Sequence, residues 1–410
     1  MNFKKYLNLN PIIIGCSAAI NLTKLLAIAT LCVATVLKDY SILYFIFNIW
    51  ASLAGFSVVP RFTTRLIRSD INLTRKSIIL ILIPFRFHYF NFLIPILIFL
   101  AICRGNFELL PYVFLGGITL IPIQKFNTLT SIFYSKIGKP AEFLLSTFIR
   151  NLLVIIYILF LNNKAKLEII LILELFGGLF AIILFAYFQK ISLFRLIYTW
   201  KKLTLISNRI GKNASFATFS NTASIFLGQL DNFLALTFFN PDQYKIFSFL
   251  LLTQSIGGQL NYIFSLSLAS SVKNTISKIK SYINFVFLSY FLIIICGLVS
   301  FSVLFLIQLM GWPAPISNWI SPMPFQYLML ASVILAITAF DYSSGLWLIK
   351  FGFKSFLHVT TVLFIVKGFL YAILGLFFDF NPLHQAILIF VVCLLSSFFI
   401  YGRLYEEIKS

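Results

Sequence analysis

The sequence predicts an all-α integral membrane protein, with twelve transmembrane helices in two six-helix lobes around a central cavity. Three features carry this expectation: apolar runs of spanning length, an alternation of cation-rich and cation-poor loops, and charges set deep inside the spans. Hydrophobic residues make up 60% of the 410, aromatics 18% and charged residues only 11%, far from the composition of a soluble domain. A helix needs about 20 apolar residues to cross a hydrocarbon core of about 30 Å. Runs of that length recur from end to end without period-two alternation, which favours helices over a β-barrel.

In chain order the spans read as 12–36, 40–59, 77–102, 109–134, 141–161, 166–188, 216–239, 244–265, 282–308, 325–349, 355–380 and 384–402. The basic start followed by an apolar run resembles a signal peptide, but the run continues past Lys24 with no small-residue cleavage site, so an uncleaved first helix is expected. One set of loops holds 22 of the 32 Lys and Arg, from Lys4 and Lys5 through Arg61–Lys76, Lys136, Lys139, Lys190–Lys212, Lys273–Lys280, Lys350 and Lys354 to Arg403 and Lys409. The opposite set holds Lys38, Arg104, Lys164, Lys166 and Lys245. Cations concentrate on the cytoplasmic side, so both termini are expected there. The formal charge of +20 is thereby assigned to topology, and no nucleic-acid partner is expected. All five cysteines fall inside spans or, for Cys103, at the edge of one, without metal-ligand spacing, so neither a disulfide framework nor a metal or other cofactor is expected.

The long basic connection Gln189–Phe216 divides the chain into lobes 1–200 and 201–410. Two local matches suggest a repeat: the helix-opening Lys38-Asp39-Tyr40 against Asp242-Gln243-Tyr244, and the turns Lys136–Pro140 against Lys350–Lys354.

Five cations remain deep in spans, Lys24, Arg86, Lys125, Arg150 and Lys367, with three acids, Asp231, Glu174 and Asp341. Each costs at least about 2.5–3.5 kcal/mol against lipid, so they are expected to face a bundle interior or a wet cavity, although local pairing or snorkelling also satisfies such groups. Arg86 and Lys125 lie nearest the cytoplasmic side and are the readiest to snorkel. Counted from the matched turns, Arg150 and Lys367 fall about one helical turn apart, as do Lys24 and Asp231. The last two are therefore expected to face each other from the first helices of the two lobes. An excess of bases over acids favours an anionic substrate, and phosphate is the group that Lys and Arg bind best.

The segment Ser220–Ser271, with LGQLDNFLALTFFNPDQYKIFSF, resembles the start of the C-terminal lobe in polysaccharide flippases of the multidrug/oligosaccharidyl-lipid/polysaccharide exporter superfamily. The stretch KDYSILYFIFNIWASLAGFSVVPRFTTR at Lys38–Arg65 resembles the matching N-terminal segment, with Asp39 where the family often carries Gly. The resemblance implies a bacterial inner-membrane flippase that moves an undecaprenyl-pyrophosphate-linked oligosaccharide, an O-antigen or capsule repeat unit, from the cytoplasmic to the periplasmic leaflet by alternating access. It implies membrane lipids, a polysaccharide polymerase and a chain-length regulator as partners. Lys24, Arg150 and Lys367, with Arg86 and Lys125 in the cationic lining, are then the candidates for the pyrophosphate. Asp231, or else Glu174 or Asp341, is the candidate for ion coupling.

Two rivals stand beside this reading. A drug/cation antiporter of the same superfamily would want carboxylates to dominate the cavity. A multi-span oligosaccharide polymerase would want a large outer loop, and the longest, Gly311–Pro324, is short. No GxGxxG, GxxxxGK[ST], HExxH or GxSxG occurs, so no catalytic residue is assigned and a transporter is expected rather than an enzyme.

Overall fold

The computed structural model describes residues 10–53, 78–79, 81–82, 93–103, 107–137, 140–192, 199, 215–275, 279–377 and 380–409. Among them the chain is all-helical, with no strand. The helices, in order, are α1 Asn10–Leu31, α2 Ala34–Leu53, α3 Leu93–Cys103, α4 Leu110–Ile137, α5 Pro140–Leu161, α6 Leu167–Phe188, α7 Ser215–Phe238, α8 Pro241–Thr275, α9 Ile279–Met310, α10 Ala314–Ile320, α11 Phe325–Phe340, α12 Ser343–Phe377 and α13 Pro382–Lys409. Among the described residues four helical stretches are long and apolar enough to cross a membrane, Leu167–Phe188, Ile279–Met310, His358–Leu376 and Pro382–Lys409, and the pair α10 and α11, bent by 110°, makes a fifth if taken as one broken span. The chain is thus a multi-pass membrane protein.

The chain divides into two compact units, Met1–Lys24 with Thr35–Phe226, and Leu25–Ala34 with Leu227–Ser410.

In the first unit α4, α5 and α6 pack together, and glycines on α6 set how closely. A Cβ on Gly177 would come within 2.6 Å of the Arg150 carbonyl oxygen, and one on Gly178 would overlap Ile123 of α4. Without a hydrophobic driving force between helices in lipid, such close backbone approach supplies the packing energy. In the second unit the short α11 lies against α8, α9 and α13. Its small buried residues Ala331, Ser332, Ala336 and Ala339 make that possible, and Gly257 of α8 leaves room for the Leu335 carbonyl and the Thr338 side chain. By contrast α9 keeps Phe287, Leu298, Val299 and Leu309 exposed, a surface suited to lipid.

Two boundaries differ from expectation. The first helix ends at Leu31, so Lys38 and Asp39 lie inside α2 rather than in a loop. The fourth helix of the second half stops at Phe340, and Lys350–Lys354, expected to form a turn, is helical within α12. The turn sits at Asp341 because its carboxylate gives the α12 N-terminus a partner. Oδ1 accepts from the Ser343 backbone N–H at 2.9 Å and Oδ2 from the Ser343 hydroxyl at 3.0 Å, as a capping residue does. At 35 residues, α12 is about 52 Å long, longer than the hydrocarbon core. Lys350 is exposed and needs no loop to reach water.

Candidate functional site: two buried ion-pair clusters

In the first unit the Lys24 ammonium, on α1, donates to Glu174 Oε1 on α6 at 2.5 Å. The same carboxylate accepts from Tyr40 (Oε1, 2.8 Å) and Tyr44 (Oε2, 2.6 Å) of α2. Lys24 and Glu174 are each 6% exposed, so neither charge has bulk water to stabilise it and each depends on the other. Tyr40 and Tyr44 are i and i+4 and share one face of α2. Their rings stack, with centroids 4.4 Å apart, and the Lys24 ammonium lies 5.2 Å from the Tyr44 ring centroid.

One turn before Lys24, Asn21 uses its side-chain oxygen to accept from the Arg150 guanidinium (2.9 Å) and from the Asn151 amide (2.8 Å), both on α5. Arg150, whose partner Asn21 lies one turn from Lys24, is half-buried. Among the described residues no carboxylate pairs with it. Lys125, midway along α4, is also half-buried, and among the described residues it has neither an ion pair nor a hydrogen bond. Arg86 lies outside the described residues.

The second unit solves the same problem with the signs exchanged. Asp231 is on α7 and Lys367 on α12; the Lys367 ammonium donates to Asp231 Oδ2 at 2.6 Å and to the Leu227 carbonyl at 3.1 Å. The Tyr371 hydroxyl, one turn after Lys367, makes a short hydrogen bond to Asp231 Oδ1. Gln385 of α13, fully buried, donates from Nε2 to the Asp231 carbonyl (2.6 Å) and to the Tyr371 oxygen (3.2 Å).

The structure pairs the deep charges differently from the expectation. Lys24 and Asp231 were expected to be partners; instead Lys24 pairs with Glu174 and Asp231 with Lys367, each inside its own unit. The matched register is closer than the turn-based count gave, for Lys24 and Asp231 both lie seven residues before the last residue of their helix. The Lys350–Lys354 turn that linked Arg150 with Lys367 is absent, since these residues are helical within α12. Asp341 caps α12. Sequence reasoning missed Tyr44, Asn151, Tyr371 and Gln385 and gave Tyr40 no role beside Glu174. The i, i+4 spacing of Tyr40 with Tyr44 and of Lys367 with Tyr371 was the available signal, since a phenol one turn away is placed to serve a buried charge.

No family model matches the chain, and no curated protein is similar to it. Among solved structures, a MOP superfamily transporter from Pyrococcus furiosus is similar over 99% of this chain and 96% of its own, with 14% identity and a TM-score of 0.54. Its description says that the reverse polarity of its binding pocket suggests a different function. A multidrug resistance MATE family transporter of the MOP superfamily, in an outward-facing conformation, aligns over 97% of this chain and 94% of its own at 15% identity and a TM-score of 0.46. The first likeness defines the class: a multi-pass helical membrane protein with the fold of a MOP superfamily transporter.

Proposed function

We propose that this chain is a membrane transporter for an anionic, lipid-linked cargo, and specifically a flippase that carries an undecaprenyl-pyrophosphate-linked oligosaccharide to the outer leaflet by alternating access. The observation behind this is the balance of deep charge among the described residues. Glu174 and Asp231 are each neutralised by a lysine, and Asp341 is engaged as a helix cap. Arg150 and Lys125 have no carboxylate partner among the described residues. In a low-dielectric wall such a surplus favours a multiply charged anion, and a guanidinium suits phosphate oxygens in particular. The fold of a MOP superfamily transporter supports transport in place of catalysis.

The resemblance of Lys38–Arg65 and Ser220–Ser271 to polysaccharide flippases supplies the rest of the reading: twelve spans in two six-helix lobes, both termini cytoplasmic, and a bacterial inner membrane shared with a polymerase and a chain-length regulator. Coupling falls to Asp231 or Glu174. A drug/cation antiporter of the same superfamily is the rival, but it would want carboxylates to dominate the deep charges, and among the described residues Lys24, Lys125, Arg150 and Lys367 outnumber Asp231, Glu174 and Asp341. The test is a deletion strain, in which lipid-linked repeat units are expected to stay on the cytoplasmic face. Wild-type protein restores surface polysaccharide, and Arg150→Gln with Lys125→Gln does not. Full restoration by that variant, with the protein present in the membrane at normal level, overturns the proposal.

A further inference from the structure

Resting on this reading of an anionic cargo, we propose that Glu174 is a tethered competitor for the cargo: an internal anion that holds Lys24 until the cargo's phosphate displaces it.

Three features of the first cluster carry this. Asn21 and Lys24 are one turn apart on α1, and Arg150 is bonded to Asn21, so an anion docking on the Arg150 guanidinium arrives beside the Lys24 ammonium. Apart from Glu174, the contacts of the Lys24 ammonium among the described residues are to Tyr44, through a long 3.4 Å bond to the hydroxyl and through the ring, 5.2 Å from its centroid. Glu174, for its part, does not depend on Lys24 alone. Tyr40 donates to one oxygen and Tyr44 to the other, so the carboxylate keeps a hydrogen bond at each end when the ammonium turns away. A buried carboxylate without such donors would be too costly to leave behind.

The second unit is built the opposite way. Lys367 is tied to the Leu227 carbonyl as well as to Asp231, and Gln385 braces both Asp231 and Tyr371. That pair is locked, whereas the Lys24 pair is poised to exchange. Cargo binding would then swap an α1 to α6 ion pair for a cargo to α1 ion pair, loosening α1 from α6 only when cargo is present. The internal carboxylate also sets a threshold, because a weakly charged anion cannot outcompete it.

Equilibrium binding of inorganic pyrophosphate to the purified full-length protein in lipid nanodiscs tests the idea. Glu174→Gln, which keeps an acceptor for the tyrosines but removes the charge, is expected to tighten binding roughly tenfold, the effect of about 1.4 kcal/mol gained at a freed ammonium. Tyr40→Phe with Tyr44→Phe is expected to move affinity the other way, since Glu174 then relies on Lys24 more heavily. Lys24→Met with Arg150→Gln is expected to abolish binding. If the last variant loses binding while Glu174→Gln binds no tighter than wild type, competition by Glu174 is overturned and the cargo reading stands. If the wild type and every variant fail to bind pyrophosphate, both fall together. Opposite shifts in the glutamate and tyrosine variants, at unchanged thermal stability, establish the competition.

Discussion

Replacing Asp231 by Asn is the most direct probe of how the second cluster is held. The change is nearly isosteric and leaves an amide oxygen for the Tyr371 hydroxyl, so what it removes is the charge facing Lys367. Removing one partner of a buried pair costs about 3–5 kcal/mol, because the other is left without compensation. Asp231 and Lys367 are 3% and 5% exposed, which puts them in that regime, and the residual bond from Lys367 to the Leu227 carbonyl argues for the lower end, about 3 kcal/mol. Adding Lys367→Met removes the stranded ammonium while the amide still serves Tyr371, so the double variant should lie within about 1 kcal/mol of wild type. The assay is unfolding in mixed micelles for wild type, both single variants and the double, read as a double-mutant cycle. Additive effects, with the double variant less stable than either single one, would refute the pairing and with it the contrast between a locked second cluster and an exchangeable first.

Gly177→Leu places a side chain against the Arg150 backbone, where a Cβ alone would approach the carbonyl oxygen to 2.6 Å. Overpacking of this kind costs about 1–3 kcal/mol, and displacement of α5 should weaken pyrophosphate binding in the same protein. Asp341→Ala removes the cap of α12 and should cost about 0.5–2 kcal/mol in the unfolding assay, with pyrophosphate affinity unchanged; a change in affinity would put Asp341 in the transport site after all. Trp319→Phe deletes the indole donor to the Lys245 carbonyl, 3.0 Å away, and should cost about 1 kcal/mol without affecting binding, since this contact clamps the α9–α11 connection onto the start of α8.

The fold class was legible because lipid imposes it: apolar runs of spanning length cannot be read as soluble elements, and the resulting helices include the expected α6, α9 and α13. Helix ends were harder. Asp341 was read as a charge inside a span because the apolar residues on both sides run on through it, yet the Asp-Tyr-Ser-Ser sequence can cap a helix, and in the structure it does. Lys350–Lys354 was read as a turn because cations in a membrane chain usually mark loops, but α12 is longer than the hydrocarbon core and keeps Lys350 exposed without stopping there. The deep charges were legible for a physical reason, since a charge in a span is costly enough to be conspicuous. Their partners were not, because Glu174 lies 150 residues from Lys24 in sequence, and spacing along one helix carries no information about which distant helix it meets. Tyr40, Tyr44, Tyr371 and Gln385 were obscured by their company, being polar groups on otherwise apolar helices.

The central claim, that the deep charge balance selects an anion, is tested most directly by comparing two ligands on one preparation: inorganic pyrophosphate and a lipophilic cation, titrated against wild type, Arg150→Gln with Lys125→Gln, and Asp231→Asn. The predicted result is saturable pyrophosphate binding that is lost in the Arg150/Lys125 variant, with no saturable binding of the cation. Saturable binding of the cation that disappears in Asp231→Asn, with none of pyrophosphate, would contradict the claim and make the antiporter reading the right one.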